Sequence, residues 1–215
     1  MLECLPELRE LKLHAPPTGL LQEPADFSFL GQLEELSFSA SDAQHPPRVP
    51  NSLRRLNVSH NSWMRFDHTA DPLPAGLEFL SVAQNPSITN RVLLRLLSAA
   101  AERGSSLSRL EVGMCPRIDL DSLDWLLDAG HGSNLEWLSV AGSPTFGDQV
   151  TRELGRMVKV KVLDMRLTRI SGVGLLNLIL REGSVLERVR VAGCPNLGYD
   201  AILAARDRGI RVLTV

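Results

Sequence analysis

A six-residue pattern recurs nine times along this chain and constrains its fold more than any other feature. Each copy has the form apolar-x-x-apolar-x-apolar. The copies begin at Leu8, Leu33, Leu53, Leu77, Leu107, Leu135, Val160, Leu186 and Ile210. Consecutive copies are separated by between 20 residues, from Leu33 to Leu53, and 30 residues, from Leu77 to Leu107. Because the period covers the whole sequence, we expect residues 1–215 to form a single repeat domain.

Each copy of the pattern predicts one short β-strand. Its last four residues alternate between apolar and other side chains, as expected of a strand with one buried face. In the sixth copy, Leu138 should face the core, whereas Trp137 should face the opposite side. In the seventh copy, the same alternation predicts that Leu163 is fully buried and that Asp164 faces solvent and tolerates replacement by alanine.

A five-residue segment follows four of these strands. It reads VAQNP from Val82, VGMCP from Val112, VAGSP from Val140 and VAGCP from Val191. Its fourth residue is Asn, Cys or Ser, and we expect this side chain to turn inward and bond to turn backbone that would otherwise be buried unpaired. The final proline lacks an N–H and so ends the strand without losing a hydrogen bond.

The segments that connect the strands divide the chain into two parts. Residues 77–215 alternate strand patterns with helical periodicity, which predicts five helices from Pro86 onward. Polar residues near the predicted helix starts are candidate N-caps: Asn90, Asp119, Ser171 and Asp200. Glycines after the helices are candidate left-handed C-caps: Gly104, Gly130, Gly155, Gly183 and Gly209. Residues 1–76 contain the proline-rich segments HPPRVPNS and DPLPAG, which predict extended or irregular connections.

With this period, the chain resembles the leucine-rich repeat family. Two segments, LSRLEVGMCPRIDLDSLDWLL from Leu107 and LERVRVAGCPNLGYDAILAA from Leu186, are similar to the cysteine-containing subtype found in F-box substrate receptors. The resemblance implies an α/β fold: a right-handed, horseshoe-shaped solenoid with helices on the convex side. It also implies that the strands, one for each copy of the pattern, form a parallel concave sheet that binds other proteins.

Composition and motifs exclude several other classes of protein. The net charge is −2, and no apolar run approaches the roughly 20 residues that span a bilayer, so we expect no membrane segment. The N-terminus lacks the features of a secretory signal, which favours the cytoplasm or the nucleus. The three cysteines never occur as C-x-x-C and are expected to be reduced, structural thiols. No phosphate-binding loop, nucleophile motif or paired histidines are present, so we expect no enzyme activity, catalytic residue, cofactor or metal.

The outward-facing residues of the strands are the candidate binding site. The position before the second apolar residue is occupied in turn by Glu10, Glu35, Arg55, Phe79, Arg109, Trp137, Val162, Arg188 and Val212. Solvent-facing aromatic and aliphatic side chains beside arginines are typical of protein interfaces. The predicted protein-binding residues on the concave face are Arg55, Phe79, Arg109, Trp137, Val162, Arg166, Arg188 and Arg190. The alternative is that Arg109 simply stacks on Phe79 and Trp137 and covers their rings.

Three hypotheses for the function follow. The first is a protein-interaction module, which by resemblance is the substrate-recognition region of an F-box ubiquitin ligase whose adaptor binds a domain outside this chain. The second is a leucine-rich repeat scaffold unrelated to ubiquitination. The third is a binder of an acidic or phosphorylated peptide, or of nucleic acid, through the C-terminal arginines; the negative net charge argues against nucleic acid. The pattern begins and ends close to the termini, so the chain is expected to be part of a longer protein.

Overall fold

One parallel β-sheet organises the molecule. The computed structural model describes residues 5, 7–15, 24–41, 43–62, 64–65, 73–119, 124–128 and 134–214, apart from the side chains of Trp125 and Asp128. The strands are β1 (Glu10–His14), β2 (Glu35–Ser39), β3 (Arg55–Asn57), β4 (Phe79–Ser81), β5 (Arg109–Glu111), β6 (Trp137–Ser139), β7 (Val162–Asp164), β8 (Arg188–Arg190) and β9 (Arg211–Leu213). They lie in the sheet in chain order. Each of the nine copies of the sequence pattern has therefore formed one strand.

The register of the sheet places equivalent residues side by side. Leu80 pairs with Leu110, and Leu138 pairs with Leu163, so the central apolar residue of each strand lies beside that of the next. These side chains point into the core, and Leu163 is only 1% exposed, which confirms its predicted burial. Each repeat thus adds one layer to a continuous apolar core that runs the length of the sheet.

The ninth strand corrects the predicted register by one residue. The pattern from Ile210 predicts that Val212 faces the concave side. In the structure, Arg211 pairs with Arg188 and Val212 pairs with Val189, so Val212 is buried and Arg211 is exposed. The prediction for Val212 is therefore wrong. Ile210 and Val212 are both buried. Residues two positions apart in a strand point to the same face, so burial of Ile210 brings Val212 into the core and leaves Arg211 on the outward face.

The five-residue segments after the strands form the turns into the core. Their third residue has a positive φ, between 55° and 69° at Met114, Gly142 and Gly193. The turn directs the fourth residue inward, as predicted, and Asn85 and Cys115 are buried. The Asn85 side-chain amide donates to the carbonyl oxygens of Val58 and Val82 at 2.8 and 2.9 Å. This side chain therefore bonds backbone of its own repeat and of the preceding one.

The same inward position is filled differently in other repeats. Cys115 Sγ donates to the carbonyl of Val82 at 3.2 Å, and Thr168 Oγ1 donates to that of Met165 at 2.7 Å. Cys194 is only half-buried, with Sγ 3.0 Å from the Met165 carbonyl. Ser143 is buried at the same position, but its hydroxyl has no hydrogen-bond partner among the described residues, so the predicted bond to turn backbone is not made in this repeat.

The helices lie on the side of the sheet opposite its outward face. They are α1 (Asn90–Glu102), α2 (Asp124–Asp128), α3 (Thr151–Leu154), α4 (Gly172–Leu180) and α5 (Tyr199–Asp207). The five helices predicted after Pro86 are therefore confirmed. No helix occurs among the described residues before Asn90, where a single parallel bridge joins Asp26 to Arg48.

The predicted helix caps are confirmed only in part. Ser171 caps α4 by accepting from the N–H groups of Val173 and Gly174. Helix α1 is instead capped by Thr89, and α5 follows Gly198, which makes no side-chain cap bond, so Asn90 and Asp200 were wrong as caps. The predicted cap Asp119 stays a prediction. Helix α2 is described from Asp124 onward, and residues 120–123, which connect Asp119 to it, lie outside the described residues.

The predicted glycine caps also divide into two groups. Three have the expected left-handed conformation: Gly104, Gly183 and Gly209. Gly155 has a φ of −60° in the right-handed helical region, so its prediction is wrong. This difference arises because α3 is a single turn whose end continues in helical geometry. Gly130 lies outside the described residues.

Candidate protein-binding face

Six of the predicted binding residues form one row across the outward face of the sheet, which we call the stripe. The pairing of neighbouring strands places them side by side in the order Arg55, Phe79, Arg109, Trp137, Val162 and Arg188. Their side chains are half-buried except that of Arg55, which is exposed. Because the row spans six neighbouring strands, residues that are 24 to 30 positions apart in the sequence become direct neighbours.

Guanidinium groups and aromatic rings alternate along the stripe. The Arg109 guanidinium carbon lies 3.9 Å from the centre of the Trp137 ring and 5.0 Å from that of Phe79. The Phe79 ring also contacts Arg55 at 4.9 Å, and the Trp137 ring contacts Arg190 at 5.1 Å. Each ring is therefore stacked against two cations, which attract its π-face. The stacking of Arg109 on both rings, which the sequence left open as an alternative, is present.

Carboxylates fix the same guanidinium groups from the side. Glu111 accepts from Arg109 Nη2 at 2.6 Å and from Nε at 3.2 Å, and Glu35 accepts from Arg55 Nε at 3.0 Å. Surface ion pairs of this kind contribute little to stability on their own. Here they act together with the stacked rings, so the orientation of Arg109 is set by two aromatic faces and one carboxylate.

Asp164 is the main departure from the sequence prediction on this face. It lies on the outward side of β7, but its side chain is only 3% exposed. Arg166 donates from Nε and Nη2 to the two carboxylate oxygens, each at 2.9 Å, and Arg190 Nη1 lies 3.6 Å away. The expectation that Asp164 faces solvent is therefore wrong. The long side chains of two arginines cover it, one from its own strand end and one from the neighbouring strand.

Arg166 and Arg190 join the stripe through this carboxylate. The hydrogen bond to Asp164 raises the pKa of the Arg166 guanidinium. Arg190 contacts both Asp164 and the Trp137 ring, which links the carboxylate to the row of rings. All eight predicted binding residues thus lie on one continuous surface.

Charge is distributed unevenly along this surface. On β1 to β3, Lys12 pairs with Glu10 and Glu35, and Arg55 pairs with Glu35. On β7 to β9 and the residues that directly follow them, the outward arginines are Arg166, Arg188, Arg190 and Arg211, with Asp164 as the carboxylate. Within the described residues, Arg188 and Arg211 form no ion pair. The positive charge is therefore concentrated at the C-terminal end of the face.

Small residues border the stripe at the strand ends. This position is occupied by Ala83, Gly113, Ala141 and Ala192 in four of the repeats. A Cβ added at Gly113 would lie 2.6 Å from the carbonyl oxygen of Ala141, so the backbones of these two repeats approach too closely for a side chain. Because these bordering side chains are small, they do not project beyond the stripe and leave room for the backbone or a loop of a partner.

The described part of the chain contains neither a metal-binding cluster nor a membrane-spanning helix. There, no group of three or more His, Cys, Asp or Glu side chains is arranged to hold a metal ion. No helix found there is both long enough and apolar enough to cross a bilayer. The expected absence of catalysis and of cofactors stays a prediction.

Comparison with solved structures identifies the fold as a leucine-rich repeat solenoid. The crystal structure of the LRIM1/APL1C complex matches with a TM-score of 0.58 and 14% sequence identity, over 97% of this chain and 39% of that chain. An internalin, InlF from Listeria monocytogenes, matches with a TM-score of 0.45 and 16% identity, over 88% of this chain and 64% of that one. The first of these is a leucine-rich repeat structure, and it is this match that identifies the fold. The chain thus spans about two fifths of the length of the first protein that it matches.

The sequence comparisons add no closer relative. No protein-family model matches the chain, and no curated protein matches it. The cysteine-containing F-box subtype is not identified by any of the comparisons.

Proposed function

We propose that this chain is a protein-binding module and that its partner contacts the stripe on the concave face. The observation that supports this proposal most strongly is that the rings of Phe79 and Trp137 stay partly exposed on the outward face although Arg109 stacks on both of them. Aromatic and arginine side chains provide most of the binding energy at protein interfaces. Side chains that are already ordered lose less conformational entropy when a partner binds.

The shape of the face favours a macromolecular partner over a small molecule. The stripe extends across six strands of an open sheet, and the bordering residues Ala83, Ala141 and Ala192 are small. Small-molecule sites are concave pockets that bury most of the ligand, whereas repeat solenoids offer long curved surfaces to proteins. The leucine-rich repeat fold shown by the structural comparison is consistent with this use.

Paired substitutions on opposite sides of the solenoid test the proposal. Trp137→Ala with Arg188→Ala removes two stripe residues, and Leu203→Ala with Arg206→Ala removes two residues from the surface of α5, where both side chains are exposed. A partner captured by the wild-type chain should lose at least about thirtyfold in affinity with the stripe variant, because hot-spot truncations cost about 2 kcal/mol or more. The α5 variant should bind normally. Circular dichroism must show that both variants are folded.

The reverse result would move the binding site. If the folded stripe variant binds as tightly as the wild-type chain and the α5 variant does not, the partner contacts the convex helices. Loss of binding in both variants at equal melting temperature would also contradict a site limited to the concave face.

A finer proposal is that the module recognises substrates for an F-box ubiquitin ligase. It is supported by the cysteine-containing repeats from Leu107 and Leu186 and by the buried position of Cys115 at its turn. In this proposal, the ligase adaptor binds a domain outside the chain, and the chain itself contacts only the substrate. The alternative is a leucine-rich repeat scaffold that is unrelated to ubiquitination.

Substrate turnover distinguishes these two roles. Overexpression of the 215-residue chain should slow degradation of the captured partner, because the chain occupies the recognition site without the adaptor. The full-length gene product should co-purify with the adaptor and accelerate that degradation. If the full-length product binds the partner but never the adaptor, and turnover does not change, the scaffold role replaces the ligase role.

A further inference from the structure

We propose that the C-terminal end of the concave face binds an acidic, carboxylate-rich peptide segment of the partner protein. This inference rests on the proposed function, because it specifies the chemistry of a partner at the same face. The site consists of four side chains, which we call the arginine cluster: Arg166, Arg188, Arg190 and Arg211.

The strand register brings these four arginines together. Arg188 and Arg211 are direct neighbours on β8 and β9, and Arg190 is the neighbour of Asp164 on β7. Neighbouring strands lie about 4.8 Å apart, and residues on the same face of one strand are separated by about 7 Å. The residues on one side of an extended peptide have the same separation of about 7 Å. Successive carboxylates of such a peptide can therefore reach different arginines of the cluster.

The cluster carries more positive charge than its surroundings neutralise. Arg166 and Arg190 share the single carboxylate of Asp164. Arg188 and Arg211 have no ion-pair partner in the described part of the chain. Arg188 and Arg190 are half-buried, and hydrogen bonds between ionised groups strengthen as water is excluded from them. A ligand with several carboxylates supplies the missing counter-charge.

Two of the four guanidinium groups are held in place before a ligand arrives. Asp164 fixes Arg166 through two hydrogen bonds of 2.9 Å, and Arg190 lies between Asp164 and the Trp137 ring. These contacts restrict side chains that would otherwise be highly mobile, and so they reduce the entropy lost on binding. Asp164 and Trp137 are positioning residues in this site.

The arrangement favours an acidic peptide over a nucleic acid or a single phosphate group. The cluster is confined to one end of the face, and Glu111, Glu35 and Glu10 lie along the remainder. Those carboxylates are paired with Arg109, Arg55 and Lys12, so the remainder of the face offers no excess positive charge to a long polyanion, whereas a short acidic segment needs only the cluster. The arginines are also distributed over three strands, which suits several carboxylates better than one phosphate at a single point.

Fluorescence anisotropy with a short, labelled, glutamate-rich peptide tests the site. The variant Arg188→Gln with Arg211→Gln should weaken binding by about tenfold or more, because each charge-assisted hydrogen bond is strong. The control variant, Arg206→Gln with Arg208→Gln, removes the same charge from the surface of α5 and its C-terminal cap. It should change affinity by less than about twofold, because these exposed arginines belong to α5 and its C-terminal cap and not to the outward face of the sheet, and salt screens exposed charges. Circular dichroism confirms that both variants are folded.

Several outcomes would overturn the proposal. The proposal fails if the wild-type chain binds the glutamate-rich peptide no more tightly than the same peptide with glutamine, or if the two double arginine variants weaken binding equally. Tighter binding of a singly phosphorylated peptide than of the glutamate-rich one would assign the cluster to phosphate. Stronger competition by duplex DNA would assign it to nucleic acid.

The peptide-binding experiment can fail independently of the partner-binding experiment that tests the proposed function. If the glutamate-rich peptide does not bind but the Trp137→Ala and Arg188→Ala variant still loses its protein partner, the acidic-peptide inference fails and the concave binding site stands. If that variant also keeps its partner, both proposals fail.

Discussion

At the scale of single residues, Asp164 shows that facing outward and being exposed are different properties. The strand alternation places Asp164 on the concave side, opposite to Leu163. Its side chain is nevertheless buried, because Arg166 and Arg190 extend over it. The arginines keep their charged ends near solvent while their aliphatic portions cover the carboxylate. The contribution of Asp164 to stability therefore comes from neighbours on the same face.

Two adjacent substitutions test this view of β7. Leu163→Ala should lower the free energy of unfolding by about 2 to 5 kcal/mol, because it leaves a cavity in the core. Asp164→Ala should lower it by about 1 to 3 kcal/mol, because Arg166 loses a buried hydrogen-bond partner and Arg190 loses an ion-pair partner. Glu187→Ala is the control, since this exposed carboxylate lies just before β8, and it should change stability by less than about 0.5 kcal/mol. Denaturant unfolding measures all three.

A neutral Asp164→Ala substitution would contradict this prediction. If Asp164→Ala is as neutral as Glu187→Ala, the two arginines do not depend on the carboxylate for their position. The site would then not be held in place before a ligand binds.

The thiol of Cys115 provides a prediction that depends on pH. Burial raises its pKa from 9.0 to about 11. Since the folded-state pKa is above the unfolded value, the resulting stability is fully present below about pH 9 and is lost as the pH rises through about 11. At pH 8, the native chain should therefore show almost no alkylation of Cys115 by iodoacetamide, whereas denatured chain should react readily.

Mass spectrometry of the individual cysteine peptides measures this reaction. Cys194 is the internal comparison, because it occupies the equivalent turn but is only half-buried, and it should react faster. Equal rates for the two cysteines in native protein would contradict the protection of Cys115.

At the scale of elements, the turns after the strands hold consecutive repeats together. Asn85 donates to carbonyl groups of two repeats, and its side-chain oxygen accepts from the N–H of Asn61 at 3.2 Å. Buried backbone groups require such partners, because water cannot reach them. The sequence indicated an inward polar residue at this turn. Its partners in the preceding repeat are 24 to 27 residues away and became known only from the packing of the repeats.

Substitution of Asn85 tests the role of this turn. Asn85→Ala should destabilise the chain by about 3 kcal/mol or more, because it leaves several buried groups unpaired. Asn85→Cys should cost roughly half as much, since a thiol at this position can still donate to the preceding repeat. Cys115 makes this contact with the Val82 carbonyl in the native chain. Thermal unfolding measures the stability of the two variants. If the cysteine variant is no more stable than the alanine variant, the predicted role of the donor at this turn is wrong.

At the scale of the whole molecule, the solenoid is a linear array in which each repeat packs against its neighbours. Strands pair only with the next strand in sequence, and α4 packs against α5. The stability of such an array is approximately a sum of terms for single repeats and for neighbouring pairs. The coupling between two substitutions should therefore decrease with the number of strands between them.

Double-mutant cycles measure this decrease. Leu138→Ala and Leu163→Ala lie on paired strands and should show a coupling of about 0.5 kcal/mol or more. Leu56→Ala and Val189→Ala lie five strands apart, at about 24 Å, and should be additive within about 0.5 kcal/mol. Equal coupling in both cycles would mean that the solenoid behaves as one indivisible unit.

Hydrophobic periodicity and repeat length, which are properties of local sequence, predicted the nine strands, the buried side of all but the last strand, and the five helices after Pro86. The parallel order of the strands was implied by the resemblance to the leucine-rich repeat family and not by the periodicity. The packing of the repeats decided the register of Val212, the cap at Thr89, the burial of Asp164 and the stacking of Arg109 on two rings. Each of these depends on which residues of neighbouring repeats come within contact distance. Side chains as long as arginine can reach several partners there, and the strand alternation fixes only the face from which they start.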